Sequence, residues 1–242
     1  MNVRSIIKAG LLASTSSLAL LGATEAANAA QPDGAYAGLS VGYQAFWGNG
    51  IEATSIECCF VATDVVYSPM PVKASGVAGG IFGGYGRVIP GTQIYVGGEV
   101  EFWGSSANGV TGGEGQFRFR AKYGVNAGPR VGFVFPGALA WLSGGYEGAR
   151  VSLAGCTNVG GLSGTEGCIS GSQWFHGVRA AAGLDIFTTN IGVPAFVRAF
   201  VAHSWFFGQR RYFGQGPASK AVIAKIFDLR AFRAGIGAGV SF

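Results

Sequence analysis

The chain has 242 residues, 49% of them hydrophobic and only 12% charged, with 43 glycines and a formal net charge of +5. A soluble domain usually carries about a quarter charged residues and about 7% glycine, so this balance points to a membrane. Glycine at this level excludes a bundle of long helices, and the lack of a G-X-Y period excludes collagen.

The first residues read as an export signal. Arg4 and Lys8 precede the apolar run AGLLASTSSLALLGA, and TEAANAA ends in small residues. This is the order of a secretory leader, with cleavage expected after Ala29. The apolar run is short for a membrane anchor of about 20 residues. Residues 1–29 are therefore assigned to a signal peptide and 30–242 to the mature chain.

Period-2 alternation bounded by turn residues gives eight strands, at roughly 34–46, 73–88, 92–104, 116–135, 138–151, 174–187, 193–207 and 226–242. Three connections are tight, at IPGT, Pro136-Gly137 and TTNIG. The other four are long, at 47–72, 105–115, 152–173 and 208–225, and the two kinds alternate. Outer-membrane barrels sort their connections this way, with short periplasmic turns and long extracellular loops. The expected fold is all-β: an eight-stranded antiparallel up-and-down transmembrane barrel with both termini on the periplasmic side. A closed barrel leaves no strand edge unbonded in lipid.

Most strands show two faces. In 92–104, Ile94, Val96, Val100 and Phe102 oppose Gln93, Glu99 and Glu101. The second strand is too rich in glycine for its faces to be assigned. The fourth alternates for its whole length: Phe117, Phe119, Ala121, Tyr123, Val125, Ala127, Pro129, Val131, Phe133 and Phe135 hold the odd positions, with Arg118, Arg120, Lys122, Asn126 and Arg130 on even ones. The odd residues are expected to face lipid and the even ones the lumen. Pro129, lacking a ladder donor, is expected to mark a bulge. Twenty residues exceed a crossing of about 9–11, so the end near Arg118 projects beyond the bilayer.

The expected lumen network is Glu99, Glu101, Arg118, Arg120, Lys122, Arg130, Glu147, Arg179, Asp185, Arg198 and Arg233. Buried charges must pair, and eight strands enclose only enough room for side chains. A packed polar filling is therefore expected. Inward glycines leave a narrow solute channel as the alternative.

Four cysteines suit an oxidising compartment. They allow three pairings; Cys156 and Cys168, in one Gly/Ser/Asn-rich segment, are paired first, and Cys58 and Cys59 stay open. No metal site and no cofactor are read. His203 and Ser204 in FVAHSWFF are neighbours on a strand and point to opposite faces, so they form no dyad, and no catalytic residue is assigned. Trp174, His176, His203, Trp205, Phe207 and Phe232 are assigned to an aromatic girdle at the membrane boundary.

Without its leader the chain carries 15 Lys and Arg against 11 Asp and Glu. Arg210, Arg211, Lys220, Lys225 and Arg230 gather at the last long loop and its strand, a place suited to lipopolysaccharide phosphates. The apolar loop 47–72 is where an adhesive or ligand-binding role would sit. Nucleic acid is excluded as a partner by the outward location, and a monomer is expected.

The mature start, DGAYAGLSVGYQAFWG, and the end, FRAGIGAGVSF, carry a resemblance. They resemble the small Gram-negative outer-membrane barrels: surface antigens, opacity proteins and OmpA-type transmembrane barrels. The resemblance implies a class and a place, not a chemistry; the expected role is a structural surface protein without catalysis. It also implies that the terminal Phe242 is the signal read by the outer-membrane assembly machinery. No peptidoglycan-binding domain precedes Phe242, so anchoring to the cell wall is not expected. A superficial resemblance to lipid A deacylases fails on spacing, because those enzymes use His-x-Ser.

Overall fold

Alternating apolar residues with glycine and β-branched side chains between them leave the backbone one low-energy option in lipid, a closed ladder. The computed structural model describes residues 33–56, 64–112, 116–158, 166–188, 194–208, 210–215 and 221–242. The expected leader, Cys58, Cys59 and Lys220 lie outside them. Eleven strands follow in order: β1 (Gly34–Ile56), β2 (Asp64–Pro69), β3 (Val72–Val88), β4 (Ile94–Ser105), β5 (Asn108–Gly112), β6 (Gln116–Phe135), β7 (Ala138–Asn158), β8 (Glu166–Thr188), β9 (Ala195–Phe207), β10 (Arg210–Gln215) and β11 (Ala221–Ser241).

Eight of these close a ring, β1-β3-β4-β6-β7-β8-β9-β11, sealed by β11 against β1 from Tyr36↔Ser241 to Thr54↔Val222. All its pairings are antiparallel. Gly91 and Gly137 take positive φ (+76° and +74°) in the tight turns that join β3 to β4 and β6 to β7.

The long connections are not the loops expected from sequence. β2, β5 and β10 lie within three of them, and β7 and β8 run through much of the fourth as a hairpin. Above the ring the wall continues in the order β2-β1-β11-β10-β8-β7-β6-β5. The barrel thus carries a β extension on its long-connection side.

Two register shifts sit where the ring meets this extension. In β6 the pairing to β7 moves from Ala121↔Val151 to Tyr123↔Arg150, leaving Lys122 as the extra residue. Between β1 and β11 the register moves between Trp47↔Arg230 and Asn49↔Phe227, beside Asp228 at φ +51°. The bulge expected at Pro129 is absent. The ladder to β7 lapses at Gly128 and Pro129 and resumes unshifted at Arg130↔Ser143, because a missing donor interrupts a ladder without adding a residue.

The outer surface of the ring is an apolar belt that includes Leu39, Val77, Ile81, Phe102, Leu142 and Ile236, all more than half exposed. Inside, the faces of β3 become clear: Val72, Ala74, Ala78 and Phe82 are buried, while Val77, Ile81 and Tyr85 face out. Its inward glycines make room for rings from other strands. A Cβ on Gly84 would lie 2.4 Å from the Tyr36 hydroxyl, and one on Gly183 of β8 would lie 2.4 Å from the Trp141 indole.

Candidate functional site

The lumen is filled in layers. At the periplasmic end Tyr36, Phe82 and Phe196 meet with ring centroids 6.1–6.4 Å apart. Above them Asp185 takes Arg198 in two hydrogen bonds of 2.9 and 3.2 Å, and also accepts from Arg130 and from the Trp141 indole. Glu99 bridges the same two arginines at 2.8 and 3.3 Å and accepts from the Tyr36 hydroxyl. The Arg130 guanidinium lies 4.2 Å from the Trp141 ring centroid and that of Arg198 4.1 Å from Phe82.

The next layer centres on Glu101, which pairs with Arg233 and Arg179 and accepts from Ser40 and Asn126. Glu147 accepts from the Trp103 indole at 2.9 Å and sits 3.9 Å from Arg179. Four arginines thus meet four carboxylates across the two layers. Higher still, Phe46, Trp103, Phe117, Phe119, Phe175 and Phe206 belong to one apolar cluster that plugs the extension. A cavity of about 10 Å³ beside Glu99, Asn126, Ser143 and Arg179 has room for one water.

Glu99, Glu101, Arg130, Glu147, Arg179, Asp185, Arg198 and Arg233 therefore all point into the lumen. Arg118, Arg120 and Lys122 do not. The register shift at Lys122 puts Phe117, Phe119 and Ala121 inside, fully buried, and turns these three cations outward into solvent. Tyr36, Trp103 and Trp141 are lumen members that the sequence reading missed. Their parity matches that of their partners, and alternation alone would have placed them. Glu52 was also missed: it is buried in the extension, and among the described residues neither carboxylate oxygen has a hydrogen-bond partner.

Trp174, His176, His203, Trp205, Phe207 and Phe232 all sit on the outward face. His203 packs tilted against Trp205 at 4.2 Å and meets Trp47 at 5.4 Å. His176 bonds the Tyr146 hydroxyl at 2.6 Å, and Trp174 packs edge-on to Tyr123 at 5.7 Å. Ser204 is buried on the opposite face from His203. Of the cations expected at the rim, Arg230 is held by Asp228 at 3.0 Å and Arg210 donates to the Trp174 carbonyl at 2.7 Å. Arg211 and Lys225 stand opposite each other on β10 and β11. Phe242 ends the chain beside β1, its N–H bonded to Ala35. Cys156 and Cys168 form a disulfide across the β7–β8 hairpin. Among the described residues no cluster of His, Cys, Asp and Glu could hold a metal.

A closed antiparallel ring with an apolar belt outside and a polar filling defines the class: an eight-stranded outer-membrane β-barrel. No protein-family model and no curated protein matches the sequence. Among solved structures the chain is similar to Neisserial surface protein A, with 14% identity, 85% of this chain and 99% of that one covered, and a TM-score of 0.40. It is similar to Ail, the attachment invasion locus protein of Yersinia pestis, at 15%, 87%, 99% and 0.38. For the outer membrane protein OprG of Pseudomonas aeruginosa the values are 12%, 88%, 98% and 0.45.

Proposed function

We propose that the mature chain, from residue 30, is a structural outer-membrane barrel that holds lipopolysaccharide at its outer rim and has neither a diffusion path nor a catalytic site. The observation that carries this is the filled cross-section. The arginine–carboxylate layers span the ring, and the apolar cluster covers them. A porin needs a water-lined bore, which takes sixteen or more strands.

Planar-bilayer recording on the refolded protein tests the reading, with the unboiled gel band as proof of folding. The expected trace is flat. Discrete steps that change size in Arg130→Gln or Arg179→Gln would replace the structural reading with that of a narrow channel.

A second reading, surface adhesion, draws on Tyr67, Val110 and Phe213. These are more than 60% exposed on the extension, beyond the membrane belt. It expects host-surface binding that is lost when all three are replaced by serine in a barrel that still folds.

A further inference from the structure

Four cations stand on the outer wall with no anion beside them among the described residues. Arg118, Arg120 and Lys122 project from β6 and Arg150 from β7, and among the described residues none joins an ion pair. Register gathers them into one patch. Arg120 lies opposite Ser152, and Ser152 opposite Ser172; Tyr123 lies opposite Arg150, and Arg150 opposite Trp174. The Lys122 ammonium is 3.4 Å from the Ser172 hydroxyl. At a strand rise of about 3.3 Å per residue, Arg118 to Lys122 extends over roughly 13 Å.

Two features say what this patch meets. Like charges on neighbouring positions repel, so the bare wall is unfavourable until an anion seats on it. Level with Arg150 lie the rings of Tyr123 and Trp174, with His176 and Tyr146 beneath them, the kind of side chain that marks the headgroup boundary. The cations therefore stand at the height of outer-leaflet phosphates.

We propose that the β6–β7–β8 wall is a binding site for the phosphates of lipid A, with the forks of Arg118 and Arg120 taking phosphate oxygens. Lys122 and Arg150 flank it, and the Ser152 and Ser172 hydroxyls donate from the far side. The site rests on the reading that the barrel holds lipopolysaccharide, and it moves the contact away from the β10–β11 rim. Only a ligand with acyl chains in the membrane can use the aromatic platform as well as the charges.

The test is retention of diphosphoryl lipid A, with its dephosphorylated form as reference, by refolded barrel in nanodiscs. One variant replaces Arg118, Arg120, Lys122 and Arg150 with Gln; the control replaces Arg211, Lys225 and Arg230. All substitutions are on the surface, and the unboiled gel band checks folding. The wild type should prefer the phosphorylated lipid by about tenfold or more, the four-site variant should lose that preference, and the control should keep it. Loss in the control alone would overturn this site while leaving lipopolysaccharide binding at the rim. No preference in the wild type would overturn both. A preference that the water-soluble phosphorylated disaccharide abolishes at equal concentration would also overturn the proposal, marking the patch as a site for soluble polyanions.

Discussion

Asp185 carries two guanidinium groups and an indole at once, and everything it holds is buried. Removing one member of a buried ion pair costs about 3–5 kcal/mol, because the partner is left charged without compensation. Asp185→Ala leaves two buried guanidinium groups, Arg198 and Arg130, sharing Glu99 alone, so it should lower stability by about this much and by more than Arg198→Ala, which leaves Arg130 between Asp185 and Glu99. Urea titration of the folded gel band orders the two variants. Glu52 should behave in the opposite sense. A buried polar group without a hydrogen bond costs about 1–3 kcal/mol by mutational measures, so Glu52→Met should raise the urea midpoint of the extension, followed by tryptophan fluorescence. The eight lumen charges were legible from alternation within the ring, where strand parity holds, but not the exclusion of Arg118, Arg120 and Lys122 above it. Glu52 was not, because the strand assigned to that region stopped at residue 46.

At the scale of the element, the instructive strand is β6. In the ring, lipid lies outside and a polar filling inside; in the extension, water lies outside and an apolar core inside. A strand of fixed parity crossing this boundary must exchange its polar and apolar positions. β8 does so: Arg179 and Asp185 face in below, and Phe175 and Ile169 face in above. In β6 the extra residue at Lys122 swaps the faces instead, so the odd positions stay apolar throughout and the written sequence shows no break. β11 does the same beside Asp228, with Ile226 inward above and Phe232 outward below. A bulge compensated by a change of environment leaves the alternation intact, which is why sequence placed Arg118 and Arg120 in the lumen. Deleting Lys122 should close the bulge and leave both halves of β6 in their native frames. The expected result is a heat-modifiable band that persists. Loss of the band would mean that Lys122 is not the extra residue and would contradict the two-environment account.

For the whole molecule, the inversion of polarity fixes which end meets water outside the cell. The closed ring alone would insert either way up. The two described tight turns and both described chain ends gather on one side, and the apolar-cored extension with its cationic wall rises on the other. Short turns belong to the periplasm in this class, and cations at a headgroup boundary are useful only in the leaflet that carries clustered phosphates. Both arguments give the same orientation. A membrane-impermeant maleimide should therefore label Val110→Cys on intact cells well above the wild-type background. Gln93→Cys, in the turn between β3 and β4, should react only after the outer membrane is permeabilised. The reverse pattern would put Arg118, Arg120, Lys122 and Arg150 against the phospholipid leaflet and remove the basis of the lipid A site. Equal labelling of both positions on intact cells would mean that the barrel had not inserted.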